Sequence, residues 1–239
     1  MPGVWNIAHR GASLDRSENT LAAFEEAIRQ GADALEADVR MTADGELVVL
    51  NDATVDRTTN GHGSVRELDY AGARTLDAGR GERIPTPDEV LDLARGRARV
   101  TFDIKEPDAI DTLIAMVREL EMADHVTFLT YLPEVADRLH ELGVTNPVIQ
   151  AVDSPAAVAS LVTGHPGGGH AMSGIGLPAG LVSPSLTDGI HRRGFGVFVW
   201  TVDDPQEMGR LIDCGVNGIV TNRPAVLAAV LDERGAARS

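Results

Sequence analysis

Short apolar, β-branched runs alternate along the chain with segments whose apolar positions recur every three or four residues. The runs predict strands over Val4–Ala8, Ala34–Met41, Leu47–Leu50, Val100–Ile104, Val126–Tyr131, Pro147–Val152, Ala171–Leu177, Gly196–Val202 and Gly218–Thr221. The segments between them predict helices over Asn19–Gln30, Asp108–Leu120, Glu134–Leu142, Pro155–Leu161, Leu186–Arg193, Pro205–Cys214 and Pro224–Asp232. In the first of these, Leu21, Phe24, Ala27 and Ile28 mark one face. Gly31, Gly143, Gly194 and Gly215 fall where helices should stop. No fixed-length repeat is visible.

Such alternation predicts parallel βα units. Nine strands are one more than a (β/α)8 barrel uses. The link Met41-Thr42-Ala43-Asp44-Gly45-Glu46 accounts for the surplus, because its Asp-Gly signal and its shortness allow only a tight hairpin. Leu47–Leu50 then runs antiparallel to Ala34–Met41. The expected fold is α/β, a (β/α)8 TIM barrel with a small β-hairpin after the second strand. With Asp44 and Gly45 as the turn, Val39 should face Leu50 and Asp38 should face Asn51. Asn51 would then lie beside Asp38 at the barrel mouth.

Composition changes this picture little. A chain of 239 residues with 43% hydrophobic and 24% charged residues suits one globular domain spanning 1–239. The net charge of −15 argues against non-specific nucleic-acid binding, which needs cations to displace counterions. It also means that an anionic substrate needs a cation in the site. Cys214 is the single cysteine, so no intramolecular disulfide forms. The start, MPGVWNIAHRG, has no basic region leading into an apolar run, and no apolar stretch approaches the roughly 20 residues of a membrane span. The expectation is a cytoplasmic protein without stable membrane insertion. Its oligomeric state is left open.

Candidate chemistry sits where strands end. Four polar clusters do so: His9-Arg10-Gly11, Glu36-Ala37-Asp38, Asn51-Asp52 and Asp103-Ile104-Lys105. In a barrel these ends converge on one face, where active sites lie. The i, i+2 spacing turns Glu36 and Asp38 to the same side of their strand. Two carboxylates held together need a proton or a cation, and Asp103 offers a third oxygen donor. An all-oxygen set suits one divalent cation, Mg²⁺ or Ca²⁺. His9 can serve as acid or base near neutral pH, and Arg10 and Lys105 can hold a phosphate. Each group has a plainer alternative. Glu36 and Asp38 suit a solvated strand end, His9 a core or loop histidine, Lys105 a simple partner for Asp103, and Trp200 a core residue.

Ile7-Ala8-His9-Arg10-Gly11, Glu18-Asn19-Thr20 with Ala23-Phe24, and Gly31-Ala32-Asp33 with Glu36 and Asp38-Val39 form an ordered set of motifs. Thr42-Ala43-Asp44-Gly45, Arg57-Thr58-Thr59 with Gly61, and Ile84-Pro85-Thr86 with Glu89-Val90-Leu91 continue it. Val199-Trp200-Thr201-Val202 and Gly215-Val216-Asn217-Gly218-Ile219-Val220-Thr221-Asn222-Arg223-Pro224 complete it. The set resembles the glycerophosphodiester phosphodiesterase family over nearly the whole chain. The resemblance is weakest from Glu121 to Gly194.

The resemblance implies a TIM barrel that cleaves small-molecule glycerophosphodiesters to glycerol 3-phosphate and an alcohol. It implies a divalent cation held by Glu36, Asp38 and Asp103, the last usually Glu in the family. It implies two histidines exchanging protons. The first maps onto His9 and the second onto Asn51, which cannot transfer a proton. Tyr131 and Trp200 map to strand ends where the family places substrate-side residues. The sequence therefore predicts a phosphodiesterase impaired at Asn51. Two alternatives remain: a non-catalytic phosphodiester-binding homologue, or an intact enzyme with another proton donor, for which His62 is the nearby candidate.

Overall fold

The computed structural model describes residues 3–164 and 172–235. Among these residues the chain forms a nine-stranded sheet that closes on itself. The strands are β1 (Trp5–His9), β2 (Ala34–Met41), β3 (Leu47–Val49), β4 (Arg99–Ile104), β5 (Val126–Thr130), β6 (Val148–Ala151), β7 (Met172–Pro178), β8 (Gly196–Trp200) and β9 (Gly218–Thr221). Their order is β1-β9-β8-β7-β6-β5-β4-β2, and β1 pairs with β2 to close the ring. Every pairing in the ring is parallel, and β3 pairs antiparallel on β2. The architecture is a (β/α)8 barrel with one hairpin, as the alternation predicts. The expected start of the seventh strand, Ala171, lies outside the described residues.

Helices follow most strands: α1 (Leu21–Arg29), α2 (Tyr70–Ala73), α3 (Pro87–Ala94), α4 (Ile110–Glu119), α5 (Pro133–Glu141), α6 (Pro155–Gly164), α7 (Pro184–His191), α8 (Pro205–Asp213) and α9 (Pro224–Glu233). Many begin with proline in the first turn, where its missing N–H costs nothing. Helix α3 is absent from the expectations drawn above. Its signal is nonetheless in the sequence: Thr86-Pro87-Asp88-Glu89 is a capping box, and the Glu89 carboxylate accepts from Thr86 N at 3.0 Å.

The main core lies between strands and helices. Phe24, Phe102, Phe128, Leu91 and Leu113 anchor its first half, and Ile175, Val197, Leu211 and Leu227 the second. Burial of so many large apolar side chains, at about 1.5–3 kcal/mol each, is what holds helices on the barrel.

The hairpin register differs from expectation by one residue. Val39 faces Val49, not Leu50, and Arg40 and Met41 face Val48 and Leu47. The cause is the turn. Thr42 N bonds to Glu46 O at 2.9 Å, which leaves a three-residue loop closed by Gly45 at φ 86°. A two-residue turn was the assumption that failed. Asp38 therefore faces Leu50, whose N–H reaches Asp38 O at 3.0 Å. The strand stops at Val49, and the chain turns enough that Asn51 still meets Asp38.

Candidate active site

Strand register assembles the site. His9 ends β1 opposite Glu36 of β2, and Asp38 lies opposite Asp103 of β4. Glu36, Asp38 and Asp103 are buried, and each offers an oxygen within 4.8 Å of the others. The turn after β1 completes the cluster. Gly11 has φ 85°, and a Cβ there would sit 2.6 Å from the backbone of Ala23. Only glycine lets the chain fold back over α1 at this point. Arg10 precedes it at φ 57°, and its backbone N–H bonds to Glu36 Oε2 at 3.0 Å.

Asp38 is the hub. Its Oδ1 accepts from Asn51 Nδ2 at 3.0 Å and lies 2.8 Å from Lys105 Nζ. Its Oδ2 accepts from Asn19 Nδ2 at 2.8 Å. Arg10 Nε is 3.1 Å from the same oxygen, but at an angle that leaves this buried N–H without a hydrogen bond, so the contact is an ion pair only. Lys105 Nζ also pairs with Asp103 Oδ2. Asp103 Oδ1 is buried without a partner. The cluster thus carries three carboxylates against two cations and keeps one oxygen unspent.

The electrostatics follow from burial and neighbours. Burial, with Asp38 and Asp103 close by, raises Glu36 well above the usual carboxyl range. Asp103 is raised to about 6, chiefly by burial, against the pull of Lys105. Burial also acts to raise Asp38, but Lys105 and Arg10 outweigh it and hold that group low. Lys105 is raised, since Asp38 and Asp103 overcome its burial. His9 is lowered, mainly by burial and then by Arg10, which favours neutral imidazole.

A relay orients that imidazole. His9 Nδ1 is 2.7 Å from Asn222 Oδ1. Asn222 gives its own Nδ2 to Asp203 Oδ2 at 2.7 Å, so its oxygen must face His9. His9 Nδ1 is then the donor, and Nε2 is left as the basic nitrogen. Ser13 Oγ shares the same amide oxygen at 2.8 Å, and Asp203 is itself fixed by Thr221 Oγ1 and Asn222 N.

The structure gathers His9, Arg10, Glu36, Asp38, Asn51, Asp103 and Lys105. Tyr131 follows the last residue of β5, Trp200 ends β8, and the two meet edge to face, with ring centroids 5.4 Å apart at 75°. Tyr131 is 45% exposed, and burial and then Asp103 raise its hydroxyl to about 12. His62 does not join them. Its side chain is 87% exposed and lies against Asp56 at 3.3 Å. Sequence reasoning missed Asn19, Asn222 and Asp203. It also missed Arg40, whose Nε donates to Asn51 O at 2.7 Å and whose Nη1 pairs with Glu106 at 2.9 Å.

The sequence of residues 9–226 matches the model of the glycerophosphoryl diester phosphodiesterase family. A glycerophosphodiester phosphodiesterase of Caldanaerobacter subterraneus subsp. tengcongensis is 34% identical, over 96% of this chain and 98% of that protein. The crystal structure of a glycerophosphodiester phosphodiesterase from Agrobacterium tumefaciens superposes with a TM-score of 0.84 at 32% identity, covering 96% of this chain and all 100% of that one. An Oleispira antarctica phosphodiesterase, solved in complex with the product sn-glycerol-3-phosphate, shares the fold with a TM-score of 0.86 at 23% identity, covering 97% of each chain. With its motifs, its barrel and its buried carboxylate cluster in register, this chain belongs to the glycerophosphoryl diester phosphodiesterase family.

Proposed function

We propose that this chain is a single-domain, metal-dependent phosphodiesterase that converts glycerophosphodiesters to glycerol 3-phosphate and an alcohol, slowed by Asn51. The observation that carries the reading is the buried triad Glu36, Asp38 and Asp103 with Arg10 and Lys105 against it. The triad fits one divalent cation, Mg²⁺ or Ca²⁺. Its donors are all carboxylate oxygens, and Asp103 Oδ1 is buried with no partner. When bound, the cation would neutralise charge on the phosphate.

The remaining work falls to the chain itself. Arg10 and Lys105 supply positive charge beside the carboxylates and would receive the phosphate oxygens. His9, held neutral with Nε2 free, takes a proton at that nitrogen. Asn51 stands where the second proton carrier is needed, and its amide can only donate or accept hydrogen bonds. Tyr131 and Trp200 would flank the alcohol part of the substrate. No helix among the described residues is long and apolar enough to cross a membrane. A cytoplasmic setting belongs to the same reading and suits the single, buried cysteine Cys214.

Calorimetry with Mg²⁺ and Ca²⁺ on the protein and on Glu36→Gln, beside hydrolysis of glycerophosphocholine, tests the proposal. We expect one ion per chain, an affinity lowered about 10–100-fold in the variant, and hydrolysis abolished by chelator. Unchanged affinity in Glu36→Gln removes the metal site from the reading. Binding of glycerophosphocholine with no turnover in any metal points instead to a binding homologue.

A further inference from the structure

The opposite end of the barrel holds a second polar constellation. The inward row of β1 reads Trp5, Ile7, His9, and that of β4 reads Arg99, Thr101, Asp103. His9 and Asp103 belong to the site at the mouth. Their rows continue downward into a cavity of about 420 Å³ that Trp5, Ile7, Arg99, Thr101, Thr127 and Phe198 help to line. Thr101 lies two residues, or about 7 Å, below Asp103, so the two sites are separate layers of one barrel interior. Ile7, Ile149 and Phe198 form the apolar layer between them.

The Arg99 side chain of this cavity is unspent. Arg99 stacks on the Trp5 ring at 5.1 Å, and its Nε is buried without a hydrogen-bond partner. Among the described residues its guanidinium makes no hydrogen bond or ion pair, although other arginines of this acidic chain find carboxylates. Thr101 and Thr127 are buried residues that face each other across β4 and β5 and line the cavity, with no side-chain hydrogen bond among the described residues. A buried donor left unmade costs about 1–3 kcal/mol, so Arg99 Nε, beside two hydroxyls that line the cavity, marks a place where a ligand supplies the acceptor. The lining carries one cation and no carboxylate, in a chain with 36 acidic and 21 basic residues.

We propose that this cavity binds a small organic monocarboxylate. The carboxylate sits on Arg99 and the Thr101 and Thr127 hydroxyls, and the apolar body lies against Trp5, Ile149 and Phe198. One guanidinium matches one carboxylate in bidentate fashion. A phosphate dianion would leave a charge uncompensated among apolar walls. The volume falls within the range of about 300–1,000 Å³ usual for small-molecule sites. This site does not depend on the hydrolytic reading.

The test titrates sodium hexanoate into the full-length protein, by calorimetry and by the fluorescence of Trp200→Phe, in which Trp5 is the single remaining indole. We expect saturable binding with a dissociation constant of about a millimolar or tighter. Hexanol should bind about tenfold more weakly, and so should hexanoate to Arg99→Gln. Saturating glycerol 3-phosphate should leave the affinity unchanged. If Arg99→Gln does not fold, Thr101→Val and Thr127→Val serve the same arm. No saturable binding, equal affinity for hexanol, or displacement by glycerol 3-phosphate each overturns the proposal.

Discussion

Asn51 donates its amide to Asp38 Oδ1, and Arg40 holds its backbone carbonyl, so the residue is fixed rather than idle. A histidine there would keep the reach and gain a proton to exchange. Losing one general acid–base group costs about 10²–10⁴ in rate, so we expect Asn51→His to raise hydrolysis of glycerophosphocholine at least about tenfold with little change in KM. Bis(p-nitrophenyl) phosphate, whose leaving group needs no protonation, should gain almost nothing. His62→Ala should change neither rate, since that side chain points to solvent beside Asp56. An unchanged rate in Asn51→His sinks the impairment reading, and a loss in His62→Ala would make His62 the acid. At this scale the charged residues were legible because strand ends in a barrel converge. Asn222 and Asp203 were not. The amide of Asn222 carries no charge signal and lies 213 positions from the histidine it orients, and Asp203 lies in the loop beyond the end of β8.

Elements were legible wherever the apolar period was long and unbroken. The parallel strands and the hairpin between them follow from alternation and one Asp-Gly. Two failures share a cause, in that local turn chemistry outweighed pattern. The hairpin loop has three residues because Gly45 adopts a left-handed conformation, which shifts the register by one. Helix α3 is short, and the polar segment before it masks its start. That helix also shows how the loop after β3 is held. Glu89 caps it through Thr86 N and receives the Arg74 guanidinium, which also reaches Ile84 O. Burial opposes ionisation of Glu89, but the Arg74 and Thr86 bonds outweigh it and lower its pKa. Glu89→Ala is expected to cost about 1–2 kcal/mol in denaturant unfolding. A lowered carboxyl stabilises above its unfolded value and loses that contribution as pH falls, so the cost should shrink in acid. A pH-independent cost would mean that lost packing, not the charge, was responsible.

The whole molecule carries a charge of −15 and hides three carboxylates in its centre, so its stability should depend on pH and on metal with opposite signs. Burial raises the Asp103 carboxyl to about 6, above the usual aspartate range. A carboxyl raised on folding contributes stability that is complete below its unfolded value and is lost as pH rises through its folded one. The Tm of the protein minus that of Asp103→Asn isolates this contribution from the general charge. In chelator the difference should fall from about pH 4 to about pH 7. With saturating Mg²⁺ or Ca²⁺ the ionised carboxylate is the one that ligates, so the same difference should rise over that range. A curve that keeps its sign in metal would mean that Asp103 does not ligate. The unspent oxygen beside Lys105 would then be compensated by the ammonium alone.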